Sequence, residues 1–88
     1  MHCNFYNSFA KDLERITQSS LLEKVENIIG LIEAADSLYD IVGIKRMKTN
    51  RSCFRVKVGD YRIGLYLENN IVHFSRFLHR SKIYSVFP

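Results

Sequence analysis

Two hydrophobic rhythms divide the chain. Near the start, apolar side chains return at helical spacing: Phe9, Leu13 and Ile16 at i, i+4 and i+7, then Leu21, Val25, Ile28 and Ile32, thickened by Leu22 and Ile29. Ser8 predicts an N-cap for the first helix, with Asp12 and Glu14 early in it, where the helix dipole favours negative charge. The stretch TQSS breaks the first stripe, and Ser20 followed by Glu23 predicts a capping box that opens the second. So short a linker predicts an antiparallel helix hairpin. Gly30, worth about 1 kcal/mol less than alanine inside a helix, predicts close packing at that point. Ahead of the helices, His2 to Tyr6 reads as a short, weak strand.

A connector with little periodicity follows, ADSLYDIVGIKRMKTNRS, from which Leu38, Ile41 and Ile44 are expected to tuck under the core. Beyond it the spacing changes to two, the period of a strand. Phe54, Val56 and Val58 fall on one face and Arg55 and Lys57 on the other. In YRIGLYLE, Ile63, Leu65 and Leu67 share the inner face, while Arg62, Gly64, Tyr66 and Glu68 share the outer one. A third strand, IVHFSRFL, turns Val72 and Phe74 inward and His73 and Ser75 outward. Gly59-Asp60 and Asn69-Asn70 are the turns between them, and HRSKIYSVFP is an irregular or helical tail. The expected fold is therefore α+β, ordered β-α-α-β-β-β, as one domain over residues 1–88. An antiparallel sheet carries the two-helix hairpin on one face, which leaves the other face open to display Arg55, Lys57, Arg62, Tyr66 and His73.

Charge changes the picture of that open face. Residues 1–40 hold three lysines and arginines against seven acids, a balance of −4, whereas residues 41–88 hold ten against two, a balance of +8. Solvated strand faces usually mix both signs, so a one-sided face points to a polyanionic partner. Further cations flank it at Lys45, Arg46, Lys48, Arg51, Arg76, Arg80 and Lys82, a clustering that suits phosphate neutralisation. The longest apolar cluster, NIIGLI, falls far short of the ~18–20 residues of a membrane span. With neither a basic n-region nor an apolar h-region near Met1, no signal peptide is expected. Cys3 and Cys53 are read as reduced thiols of a cytoplasmic protein.

The segment HRSKIY adds groups that phosphodiester cleavage can use. His79 can move protons near neutrality, Arg80 can hold phosphate oxygens bidentately, and Tyr84 can stack on a base. The only acids of the basic half, Asp60 and Glu68, belong to turns, which argues against a two-metal nuclease. His2, Cys3, His73 and His79 lack zinc-ligand spacing, and neither a metal nor a cofactor is expected. An RNA-cutting chain of this kind would use cations to stabilise charge on the phosphate and the ribose 2′-hydroxyl as nucleophile.

These residues carry a resemblance. FRVKVGDYRIGLYLENN followed by VHFSRFLHRSKIYSVFP resembles the RelE/ParE superfamily of type II toxin–antitoxin toxins, and SFAKDLERI fits that family's first helix. It is most similar to RelE-like members with a central YRIRxGDYRI and a terminal HRxxIYxxFP. The RelE branch implies the same fold and a ribosome-dependent mRNA endoribonuclease, an mRNA interferase held inactive by a cognate antitoxin in a hetero-oligomer. The ParE branch implies a gyrase poison without nuclease activity. Carried over by position, the resemblance implies catalytic roles for Lys57, Arg62, His79, Arg80 and Tyr84 and substrate binding by Arg55, with Lys48, Arg51 and Arg76 as further substrate-binding cations. Leu78 departs from the pattern, standing near where the best-known branch has a phosphate-contacting cation. The implied partners are mRNA, the ribosome and a small acidic antitoxin that folds as it wraps the basic half.

Overall fold

A computed structural model describes all residues, Met1–Pro88. Strand β1 (His2–Phe5) leads into helices α1 (Asn7–Glu14) and α2 (Ser19–Ala34). A 3-10 turn at Leu38–Asp40 then precedes β2 (Ile44–Arg46), β3 (Cys53–Val58), β4 (Tyr61–Glu68), β5 (Ile71–His79) and a terminal helix α3 (Ile83–Val86). The five strands form one sheet in the order β1-β5-β4-β3-β2. The expected α+β architecture and the two-helix layer are present. The sheet differs in having β2 as an added edge strand, and in the parallel pairing of β1 with β5, the other pairings being antiparallel.

The turns follow their chemistry. Asn69 and Asn70 both take positive φ, 53° and 61°, as a two-residue I′ hairpin requires, and Gly59 takes +58° in the two-residue turn before β4. The helix starts do not follow the expected caps. Gln18 and Tyr6 precede the helices without a side-chain cap, so neither the Ser20–Glu23 box nor an N-cap at Ser8 forms. Gly30 faces solvent with nothing near the site of a β-carbon, so it marks no close packing.

Ser8 and Asp12 instead complete the sheet. β1 ends at Phe5, which leaves the far half of β5 without a strand on that side, and α1 lies along this gap. The Ser8 hydroxyl donates to the Ser75 carbonyl at 2.7 Å, and the Phe77 N–H donates to Asp12 Oδ2 at 2.9 Å. Side chains of a helix thus satisfy the peptide groups that a neighbouring strand would otherwise take. Asp12, 4% exposed, also accepts a fork of hydrogen bonds from Arg76 at 2.7 and 3.1 Å. Those bonds push the Arg76 guanidinium above its ordinary value, against the opposing effect of burial. Asp12→Asn is expected to destabilise the fold by about 2–3 kcal/mol, because it strips the fork of its charge in a buried setting. A thermal melt lowered by on the order of 10 °C would bear this out, and an unchanged melt would contradict it.

The main core lies between the helices and the sheet. Phe9, Leu21, Val25 and Ile32 from the helices meet Phe54, Val56, Val58, Ile63, Leu65, Val72, Phe74 and Phe77. Leu38 and Ile41 of the connector are buried beneath it, as their apolar character predicts. A smaller second core forms on the opposite face, where α3 and the tail fold back over the sheet. Ile83 and Phe87 bury themselves against Cys53, with Met47, Tyr66 and Leu78 packed around them. The face expected to be open is therefore strapped across its middle.

Candidate nucleic-acid interface

Cross-strand pairing sets the cations in rows on the strapped face. Lys45 pairs with Arg55, Arg55 with Gly64 and Gly64 with Arg76, so these four positions cross the sheet in one line. Lys57, Arg62 and Leu78 make the next line towards the β3–β4 turn. Of thirteen lysines and arginines, only Arg76 and Arg80 have a carboxylate within 4.0 Å. The other cations of the face keep their charge uncompensated, which is the condition for attracting an anion.

Each predicted residue has a definite place. Lys57 is exposed beside Arg62. Arg62, expected on a solvent face, is only 8% exposed, and its Nη1 donates to the carbonyls of Gly59 and Tyr61, both at 2.8 Å. It is held against its own turn with no acid to neutralise it. Arg55 donates to the Gly43 carbonyl at 3.0 Å, anchoring the guanidinium beside β2. Tyr84, on α3 and 52% exposed, joins Lys45, Arg46, Met47, Lys48 and Arg55 around a concavity of about 210 Å³. Arg51 is exposed in the loop between β2 and β3, outside that concavity.

Three predicted residues stand elsewhere. Arg76 shares the row, but its guanidinium is taken up by Asp12. Arg80 is exposed beyond β5, with its N–H on the Asp60 carbonyl at 2.7 Å and its guanidinium 3.9 Å from the Asp60 carboxylate, a loose pair of little energetic weight. His79 lies on the helix-covered face. Its ring packs edge-on to Tyr61, which stacks on the core residue Phe77, and it borders a concavity with Gln18 and Lys24 of the helical layer. Its Nδ1 accepts the Ser81 N–H at 3.1 Å and lies 2.9 Å from the Ser81 hydroxyl, which places the proton of a neutral ring on Nε2. His79 therefore does not converge with Lys57 and Arg62.

The cause is a β-bulge. Gly64 pairs with Arg76 and Leu65 with Phe74, so Ser75 is an extra residue that shifts the alternation of β5 by one. Beyond it Phe77 and His79 turn towards the helices and Leu78 towards the cations, and Ser75, expected outside, is buried. Lys45 lies outside the predicted site residues because the connector around it lacks the period of a strand. Ile44-Lys45-Arg46, one apolar residue and two cations, offers no alternation to mark it.

Two helices thus cover one face of this sheet, and uncompensated cations and a tyrosine occupy the other. A family model described as the ParE toxin of type II toxin–antitoxin system, parDE, matches residues 4–84. The chain is 34% identical to Toxin RelE3 of Methanocaldococcus jannaschii over 85 residues, 96% of each protein. Its structure is similar to a chain of the RelB–RelE antitoxin–toxin complex from Methanococcus jannaschii, with a TM-score of 0.83, 32% identity, and 97% of this chain and 99% of that one covered. The fold also matches YafQ from E. coli, at a TM-score of 0.66 and 15% identity over 93% of this chain and 96% of that one. The chain belongs to the ParE toxin family of type II toxin–antitoxin systems, within the RelE/ParE superfamily.

Proposed function

We propose that this chain is an mRNA interferase, the toxin of a type II pair, which cleaves mRNA on the ribosome without a metal and is neutralised by a small acidic antitoxin. The observation that carries the reading is the cationic face itself: Lys57 and Arg62 side by side, next to a concavity lined by Lys45, Lys48, Arg55 and Tyr84, with no carboxylate among them. Likeness to a protein named Toxin RelE3 supports the nuclease branch over the gyrase-poison branch.

In this mechanism the ribose 2′-hydroxyl gives its proton to solvent and attacks the adjacent phosphorus, a 2′,3′-cyclic phosphate forms, and the 5′-oxygen leaves and takes up a proton from water. Lys57 and Arg62 stabilise the charge that builds on the phosphate oxygens, and Arg55, Lys45 and Lys48 hold the flanking backbone. Tyr84 stacks on the nucleotide, its phenol the proton-bearing hydroxyl of the concavity. His79, on the other face, has no part in proton transfer at this phosphate, and Arg76 serves the fold rather than the substrate. Arg51 and Arg80, exposed at the margins, contribute long-range attraction to RNA.

The test is to produce the chain without antitoxin in a translating extract and to map mRNA ends. Cuts within translated codons, absent from naked DNA and insensitive to chelators, are expected. The family model bears the ParE name, which favours a second reading as a gyrase poison. Intact mRNA together with gyrase-linked DNA breaks would establish that reading and remove the first.

A further inference from the structure

Gly30 has no reason within its own chain to be a glycine. It sits inside α2, where glycine is destabilising relative to alanine. It takes no positive φ, and nothing lies within 4 Å of where a β-carbon would stand. Its bare backbone is instead the floor of a shallow concavity of about 680 Å³ on the outer side of α2, lined by Glu26, Asn27, Ile29, Gly30, Leu31 and Glu33. Glu26, Ile29, Gly30 and Glu33 follow at i, i+3, i+4 and i+7, so they form one stripe with an acid about one turn to either side of the glycine. Leu31 stands exposed beside them.

Bare backbone next to an exposed leucine suits a flat aromatic group, and the two carboxylates exclude a polyanion or an acidic protein. The occupant is therefore aromatic at its centre and cationic at its rim. The chain carries such a surface on its other side. Tyr84 is half-exposed on α3, which stands on the sheet as a strap, and Lys45, Lys48 and Arg55 share its concavity. None of these three cations has a carboxylate within 4.0 Å, and neither Glu26 nor Glu33 has a cation within that distance. Both sets of charges are unanswered within one molecule and complementary between two. Tyrosine and arginine are also among the side chains that dominate interface energies. The net charge of +4 opposes this contact little at physiological salt. With the molecule 23 Å through its shortest axis, the centres of stacked copies lie about three screening lengths of ~8 Å apart, whereas the facing charges meet at contact.

We propose that this surface of α2 is a docking site for a second copy of the chain, whose Tyr84 lies over Gly30 while its Lys45, Lys48 and Arg55 face Glu26 and Glu33. The two surfaces belong to the helical layer and to the strapped face, on opposite sides of the sheet. The contact is therefore heterologous, and copies add head to tail in an open stack. Every contact covers one cationic concavity, so only the terminal copy keeps that face free. The inference stands apart from the nuclease reading, because it concerns association of the chain and its test measures no cleavage.

Sedimentation velocity over a range of concentrations tests this with the wild type, Gly30→Arg, Tyr84→Ala and Lys48→Glu, each first shown by thermal melting to be folded. The wild type is expected to associate as concentration rises at low salt, and to dissociate at ~1 M salt, where the screening length falls to ~3 Å. Gly30→Arg fills the floor and opposes the incoming cations, so it should weaken association at least about tenfold. The same change should raise the melting temperature by about 3–5 °C, since arginine is the better helix former and would follow Glu26 by four residues. Loss of association therefore cannot be put down to unfolding. Tyr84→Ala and Lys48→Glu should weaken association comparably from the other surface. Mixed together, the Gly30→Arg and Tyr84→Ala chains each keep the surface that the other lacks. They should form a one-to-one heterodimer with wild-type affinity and no larger species. A wild type that stays monomeric up to its solubility limit overturns the proposal, as does association that Gly30→Arg leaves unchanged. A Tyr84→Ala chain that associates by itself as the wild type does also overturns it, since like surfaces would then be pairing. The nuclease reading survives each of these results.

Discussion

Arg62→Ala is expected to reduce mRNA cleavage by about two to three orders of magnitude, the range seen when one preorganised donor is lost from a transition-state site. The side chain is unusual in being both buried and unpaired with any acid. Two carbonyls of its own turn hold it in position, so a phosphate arriving beside Lys57 meets a charge that needs no reorganisation. Low local polarity strengthens that attraction relative to an exposed lysine. The same two hydrogen bonds contribute about 1–3 kcal/mol to stability, so a lower melting temperature will accompany the change. Rates must therefore be compared at a temperature where both proteins are folded, with Arg62→Lys as the conservative partner. Restoring charge without the fork should recover part of kcat while leaving the melt low. Lys11→Ala, an exposed change on α1, serves as control. Equal losses for Arg62→Ala and Lys11→Ala would contradict the assignment.

Gly64→Ala is expected to damage activity from beneath the site. A β-carbon at this position would lie 2.7 Å from Cγ of Phe87 and 2.8 and 2.9 Å from the two Cδ atoms. Phe87 is 1% exposed and cannot swing aside without leaving the second core. Overpacking of this kind costs about 1–3 kcal/mol. The strain is relieved most simply by lifting the tail, because the main core on the other face is not involved. Tyr84 sits three residues before Phe87 and would move with it. Cleavage should fall at least as far as in Tyr84→Ala, although Gly64 does not line the concavity. Hydrogen exchange should show amides from Ile83 to Phe87 losing protection while β3 and β4 keep theirs. Full activity with an unchanged tail would sink the argument.

Much of this arrangement is written in alternation. The inner faces of β3 and β4, and the placing of Arg55, Lys57 and Arg62 together, follow from a period of two and need no tertiary information. Alternation fails where a non-local pairing breaks it. The extra residue at Ser75 arises from how β5 pairs with β4, and it alone decides that His79 faces the helices. β2 is only three residues long, too short to establish a period. Asp12 looked like a first-turn acid answering a helix dipole, whereas its partners, Arg76 and Phe77, are more than sixty residues away. The burial of Arg62 and the strap of α3 are likewise products of chain folding back on itself, and a glycine in a strand was their one local trace.

The two charge balances also acquire a direction in space. Glu14, Glu23, Glu26 and Glu33 lie exposed on α1 and α2, while Lys45, Arg55 and Lys57 face away from those helices on the other side of the sheet. The molecule is consequently an electric dipole whose positive pole is the cationic sheet face. In the field of a polyanion it experiences a torque as well as a pull, and turns sheet-first before contact. Encounters become productive more often than random tumbling allows, and the advantage fades as salt shortens the reach of the field to ~8 Å at physiological ionic strength. The acidic helices, which touch nothing in the site, act in this respect as a keel.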